Sequence, residues 1–212
     1  MKKVVIIGDS GHAKVVADVI HSHNSGFVIA KLDDKYDDVF IENGIVKGPI
    51  KHIHELIAND PALRVIIGIG SNLIRKKLVS LLAISDEYYM TAVHKTAVIS
   101  PSATISAGTV IMPGVIVNAD ATIGKHVILN SGSVIEHDTK IDDFAHISPC
   151  AVLTGGVQIG EGTHIGAGAS IVPQKTVGAW TTVGAGAVVV SDINDSLTVV
   201  GVPAKVVKRE GL

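Results

Sequence analysis

The sequence predicts two units: a small Rossmann-like α/β domain with a short parallel sheet, then a parallel β-helix. Three observations carry this. An aliphatic residue recurs every six positions from Ile99 to Val189 without a break. Four residues after nearly every one of these comes a small or β-branched residue, as in Ala103, Thr109, Val115 and Ala121. Before residue 90, apolar strand-like runs alternate with helix-like stretches and end in glycine-rich turns. A period of six belongs to neither an α-helix nor an ordinary strand. Stacked hexads that share one core produce it. Alternating strands and helices imply a parallel sheet.

The elements follow in order. Val4–Ile7 reads as a buried strand, and Lys14–Ser22 as an amphipathic helix. A second strand covers Phe27–Leu32 and stops at Asp33-Asp34. Pro49–Asn59 reads as a helix, Val65–Ile67 as a third strand, and Leu73–Ile84 as a third helix. Residues 1–90 form this domain and residues 91–212 the solenoid with its tail, with Tyr88–Lys95 joining the two. Sixteen hexads, three to a coil, make coils of 18 residues. Adjacent coils lie about 4.8 Å apart, the spacing of paired strands. Residues 18 apart are therefore vertical neighbours. The first and fifth residues of each hexad point inward. Lys175 is the one charged residue in the inward small-residue series, which predicts a local distortion there.

Composition narrows the function. The chain has 212 residues, 47% of them hydrophobic but only 3% aromatic, which suits a narrow solenoid interior. A formal net charge of −2, with no basic stripe, argues against nucleic acid as a partner. The single cysteine, Cys150, leaves no intrachain disulfide and suits a reducing compartment, with a buried or inert thiol expected. The opening apolar run stops at Gly8, too short for a signal-peptide core, and no segment is long enough to span a bilayer. A cytoplasmic location is the expectation.

Two glycine-rich strand ends point to a phosphate-bearing ligand. Gly8-Asp9-Ser10-Gly11-His12-Ala13 lies between a strand and a helix, where backbone N–H groups and the helix dipole attract anions. Asp33 and Asp34 follow the second strand, where a carboxylate commonly takes a ribose hydroxyl. Gly68-Ile69-Gly70-Ser71-Asn72 supplies a second such loop, and nearby Arg75 is either a phosphate partner or an ordinary helix-surface charge. Ser10 replaces the middle glycine of the dinucleotide fingerprint, so a tight turn without ligand is the plain alternative. The small domain favours a nucleoside diphosphate linked to something else.

The solenoid offers one corner with the makings of a general base. His137 is the third residue of its hexad, flanked by Glu136 and Asp138. Either acid could orient the ring and raise its basicity; Asp138 is preferred, Glu136 the alternative. Residue 137 plus 18 is Gly155, followed by Gly156, so a bare backbone N–H should sit directly above the imidazole. A donor beside a base suits the oxyanion of acyl transfer. His146 and His164, also 18 apart, should stack, but no third metal ligand accompanies them, and no metal is expected.

These motifs resemble the hexapeptide-repeat acyltransferases. More narrowly, the chain is similar to bacterial sugar acetyltransferases of the sialic acid O-acetyltransferase and nucleotide-aminosugar N-acetyltransferase group. The opening Ile7–Val16, the Leu32-Asp33-Asp34 step, Gly68–Asn72 with Arg75, Asn130–Asp138 and Gly201-Val202-Pro203-Ala204-Lys205 carry the resemblance. It implies a left-handed β-helix, a homotrimer, and acetyl-CoA lying between neighbouring solenoids. The first domain would hold a UDP-linked amino sugar through Gly8, Ser10, Gly11, His12, Asp33, Asp34, Gly70, Ser71, Asn72 and Arg75, with Asn130 lining the acceptor cleft. His137 would be the base, Asp138 its orienting acid and Gly155 the oxyanion donor. His146, Gly155, Gly156, Pro203, Ala204 and Lys205 would line the coenzyme cleft. An O-acetyltransferase, a solenoid metal-dependent hydratase and a non-catalytic nucleotide-sugar sensor remain the competing readings.

Overall fold

A computed structural model describes residues 1–22 and 26–209. In the first domain, β1 (Lys2–Ile7), β2 (Gly26–Leu32), β3 (Phe40–Glu42), β4 (Ile45–Gly48) and β5 (Arg64–Ile67) form one sheet in the order β3-β4-β2-β1-β5. All neighbours are parallel except β3 and β4. Helix α1 (Gly11–Ser22) begins earlier than the pattern alone predicts, and its buried residues Ala13, Val16, Ala17, Val19 and Ile20 belong to the core shared with the solenoid. The predicted helix at Pro49–Asn59 is a 3₁₀ turn, Ile50–His52, running into α2 (Ile53–Asn59). Helix α3 (Asn72–Leu82) starts at a Ser71 cap, whose Oγ accepts from the Ile74 N–H at 3.4 Å.

The β3–β4 hairpin was not anticipated. Its turn is Asn43-Gly44, with both residues at positive φ (52° and 77°). That dipeptide is the strongest short-range hairpin signal there is.

The solenoid has three flat parallel sheets. The first face stacks Val98–Ile99, Ile116–Val117, Val134–Ile135, Val152–Leu153, Ser170–Ile171 and Val188–Val189. The second begins at Thr104–Ile105 and ends at Thr176–Val177. The third runs from Ala92–Val93 through Ile128–Leu129, His146–Ile147 and His164–Ile165 to Leu197–Val200, and closes with antiparallel Lys205–Arg209. Every pairing along the regular coils joins residues 18 apart, such as Val117 with Ile135. The inward series is buried throughout its middle: Ile111, Ile123, Leu129, Ile135 and Ile147 are all within 1% of full burial.

The corners add a second period of six. Every sixth residue from Gly108 to Gly186 has positive φ, including Asp120, His126, Asp138, Phe144, Cys150, Gln174 and Trp180. Left-handed backbone costs an ordinary residue about 1–3 kcal/mol, which explains why half of these fourteen positions are glycine. The distortion expected at Lys175 does not occur. Gln158 N still donates to its carbonyl at 2.9 Å, and Gln158 pairs with Thr176 in register. The side chain is only half-buried, so a long stem can carry its ammonium outward. Cys150, expected buried or inert, is exposed, because it stands on a corner rather than inside one. Among the described residues no helix is long and apolar enough to cross a membrane.

Candidate active site

The His137 corner lies between the first and second faces. His137 Nδ1 and Asp138 Oδ2 are 2.7 Å apart. Asp138, not Glu136, makes this bond, because its positive φ of 59° turns it back along the corner. The hydrogen bond that His137 Nδ1–H donates to Asp138 raises the His137 pKa above the ordinary imidazole value, with the Asp138 and Glu136 charges adding to it. The opposite ring edge faces Gly155: a Cβ there would stand 2.7 Å from both His137 Nε2 and Cε1. The His137 carbonyl accepts from Gly156 N at 2.9 Å, which locks the two rungs in register. The Gly155 N–H has no acceptor among the described residues. His137, Asp138, Gly155, Gly156, Pro173 and Gln174 line a groove of about 270 Å³. Pro173 and Gln174 were not foreseen; they lie one coil above Gly155 and Gly156, so the 18-residue rule would have found them.

The arrangement can move one proton and stabilise one negative oxygen. Nδ1 is committed to a carboxylate, which leaves Nε2 to act as the base. Gly155→Ala should leave the fold intact, since only the end of an exposed side chain must move. The displaced ring should lower turnover by about 10²-fold, the usual penalty for misplacing a catalytic group by an ångström. Steady-state kinetics beside a melting curve would check both halves.

The two glycine-rich loops expected to cradle a nucleotide lie side by side. The β1 and β5 ends are adjacent: Gly8 N donates to Leu32 O and Gly68 N to Ile7 O. Gly8 has φ +107°, and a Cβ there would meet Ile69 Cγ1 at 2.8 Å, so the two glycine loops touch. Ser10, Gly11 and Ser71 are exposed, and His12 and Gly70 half-buried, at this edge. Asp33 is less free than expected. Its two oxygens accept the Asp9 N–H at 2.8 Å and the Lys35 N–H at 3.1 Å. Asp34 Oδ1 accepts Ile50 N at 3.0 Å, which leaves its other oxygen for a ligand.

Asp9, which the sequence did not single out, is the hub of the loop. Its carboxylate pairs with Lys47, accepts from Tyr36 Oη at 2.7 Å and lies 3.4 Å from Lys31. Burial alone would raise its pKa, but the bonds from Lys47 and Tyr36 and the lysine charges outweigh this and hold it at about 2. Placing Lys47 required the Asn43-Gly44 hairpin.

Two proposed ligand residues turn out to serve the domain junction instead. Arg75 is 1% exposed. Its guanidinium donates to the carbonyls of Ile69 (3.3 Å) and Gly70 (2.8 Å) and to those of His126 (3.1 Å), Phe144 (2.7 Å) and Ala145 (3.2 Å). No donor is left to meet a phosphate. Asn72 is also buried, and its Nδ2 donates to Gly162 O at 2.9 Å and Thr163 O at 3.3 Å. Helix-start polar residues look like ligand contacts until the second domain is in place.

His146 and His164 do stack on the third face, with ring centroids 4.8 Å apart. Each Nε2 is engaged one rung down: His146 with Asn130 Nδ2 at 3.1 Å, His164 with Ser148 Oγ at 2.9 Å. Burial, helped by the charges of His164, Arg75 and His12, pushes His146 down to about 3. Within one chain the prism separates these groups from the His137 corner. Ala204 caps the far end of the first face, where its N–H donates to Val188 O at 2.8 Å, and Lys205 opens the antiparallel strand that closes the third face.

Residues 3–82 match the PglD N-terminal domain family, and residues 102–137, 120–155 and 138–173 match the bacterial transferase hexapeptide family of six repeats. The chain is 42% identical over 112 residues to the UDP-N-acetylbacillosamine N-acetyltransferase of Bacillus subtilis (strain 168). That match covers 53% of this chain and 52% of the relative, so it spans about half the length of the curated protein. The fold is similar to PerB from Caulobacter crescentus, solved in complex with CoA and GDP-perosamine, with 37% identity over 98% of each chain and a TM-score of 0.88. It is likewise similar to the acetyltransferase domain of PglB from Neisseria gonorrhoeae FA1090 in complex with acetyl coenzyme A, with 35% identity, 97% and 99% coverage and a TM-score of 0.85. A glycine-rich α/β domain followed by a hexad prism, matched end to end at this identity, fixes the relationship: the chain belongs to the hexapeptide-repeat sugar acetyltransferases that carry a PglD N-terminal domain.

Proposed function

We propose that this chain transfers an acetyl group from acetyl-CoA to the amino group of a nucleotide-linked sugar, with a UDP sugar as the first candidate. The observation that carries the reading is the His137 corner, an Asp138-oriented imidazole whose free edge lies against the side-chain-free Cα of Gly155. The sugar amine attacks the thioester carbonyl, and His137 Nε2 takes the proton from the attacking nitrogen. Gly155 N–H donates to the oxyanion of the tetrahedral intermediate. Its collapse expels the CoA sulfur, which leaves as a thiol with the proton returned by His137. Gly8, Ser10, Gly11, His12, Asp34, Gly70 and Ser71 surround the nucleotide. Support comes from relatives named for UDP-N-acetylbacillosamine and GDP-perosamine. The cytoplasm, where acetyl-CoA and sugar nucleotides are made, is the proposed location.

The working form is a homotrimer. The outward column of the first face is Val98, Ile116, Val134, Val152, Ser170 and Val188, with Val98 64% and Ile116 37% exposed. The matching column of the second face is polar: Thr104, Thr122, Lys140, Gln158 and Thr176. An apolar stripe exposed on the first face and absent from the second suits burial against copies of the same chain. A neighbouring copy would then bring Asn130 and His146, or Pro203, Ala204 and Lys205, to the His137 groove. Val134→Glu should reduce the solution mass from about three times 22.0 kDa to a single chain and abolish turnover. Light scattering decides; an unchanged trimer would remove this face from the interface.

The central test is thiol release from acetyl-CoA with a panel of UDP- and GDP-linked 4-amino sugars and free sialic acid. Turnover with an amino sugar supports the proposal. Turnover with sialic acid alone would make the chain an O-acetyltransferase, and silence with every acceptor would leave a nucleotide-sugar binder.

A further inference from the structure

Arg75 is a buried cation with no carboxylate partner among the described residues. All five of its acceptors are main-chain carbonyls, two on the Gly68–Asn72 loop and three on solenoid turns. Burying a charge this way is costly, and an apolar side chain would hold two domains together at lower cost. The acceptors are therefore informative. Ile69 packs against Gly8, and Gly70 follows it on the second glycine-rich loop. Ala145 immediately precedes His146, on the same rung. One planar, rigid group thus spans the cradle and the coil that carries the third-face histidines. Lys76, the next residue on α3, adds an ion pair to Glu161 at 2.6 Å and lies 5.1 Å from the centroid of the Trp180 ring.

We propose that Arg75 is a positioning residue for acetyl transfer: it sets the distance and angle between the nucleotide cradle and the solenoid, so that the bound amino sugar is delivered to the reaction groove. The proposal rests on the acetyl-transfer reading above. The fork geometry matters, because a lysine has three donors on one compact ammonium and cannot reach all five carbonyls that the planar fork holds. Asn72, bonded to Gly162 and Thr163 carbonyls, braces the same joint from the adjacent turn.

The test compares wild type with Arg75→Met, Arg75→Lys and Asn72→Ala. Arg75→Met should lower kcat/KM for the amino-sugar nucleotide by about 10²-fold, the scale of an ångström misplacement, while KM for acetyl-CoA stays within about twofold. Arg75→Lys should recover only part of the loss. Trp180 is the sole tryptophan, so its emission reports the α3–solenoid contact directly and should shift in Arg75→Met. Should Arg75→Met fail to fold, Arg75→Lys and Asn72→Ala carry the same comparison. Calorimetric binding of UDP and GDP gives a readout free of activity, and weaker binding by the variants is expected. If wild type releases no thiol, the acetyl-transfer reading falls, and nucleotide binding still reads the cradle. Wild-type kcat/KM and nucleotide affinity in Arg75→Met, or a fall in kcat that only matches the loss of folded protein, overturns the positioning role.

Discussion

His137→Ala should lose about 10²–10⁴-fold in turnover with acetyl-CoA and the amino-sugar nucleotide, the range that general-base catalysis contributes. The side chain is 63% exposed, and its removal leaves no buried group unpaired, so the melting temperature should hardly move. The companion variant Asp138→Asn reports on pH. The Asp138 bond raises the His137 pKa, and the base must be neutral to act. Activity therefore rises as pH climbs through that pKa. Taking away the carboxylate charge lowers the pKa, so the acid limb of the kcat/KM profile should move to lower pH while the plateau falls through lost orientation. A His137→Ala variant with near wild-type turnover would remove the base from the mechanism. An acid limb unmoved in Asp138→Asn would leave Asp138 without an electrostatic part in it.

Much of this was legible in the chain, for a reason rooted in the repeat. A hexad turns sequence distance into vertical distance, so the neighbour relation of His137 and Gly155 follows from counting to 18. The choice between Glu136 and Asp138 did not follow, because it depends on backbone turning left-handed at residue 138. Asp138 stands where glycine would be least strained, so its side chain is retained at a cost in backbone strain. The first domain was harder. Arg75 and Asn72 sit where a phosphate-binding helix start would put ligand residues, and only the solenoid packed against them redirects their donors inward. The Asp9 hub was hidden behind the Asn43-Gly44 hairpin that delivers Lys47. Local period and spacing are written in the chain; contacts between its two halves are not.

Acidification should undock the two domains before it touches the solenoid. Four imidazoles surround the Arg75 cation: His12 on α1, and His126, His146 and His164 on the prism. Burial first, then the Arg75 charge, lowers His12 and His126 to about 4 from 6.5. Burial and its neighbours lower His146 to about 3, and burial with Arg75 lowers His164 as well. The acidic groups near this junction are Asp86 and Asp143 beside His126, with Asp86 already paired to Lys125, and Glu161 paired to Lys76. The docked state resists protonation that the undocked state accepts. Above about pH 6.5 both states hold these rings neutral and the term vanishes. Between 6.5 and about 4 the undocked state binds more protons, and His12, His126 and His146 each weaken docking by about 1.4 kcal/mol per pH unit. The melting temperature, followed by Trp180 emission, should therefore be flat above pH 7 and fall steeply from pH 6 to 4.5. His126→Phe should flatten the fall. That ring lies between Tyr89 and Phe144 with neither nitrogen bonded, so a phenyl ring fits the aromatic stack and removes one titrating group. A melting temperature independent of pH from 7 to 4.5 would mean that these rings keep ordinary pKa values and that the junction is wetter than its packing implies.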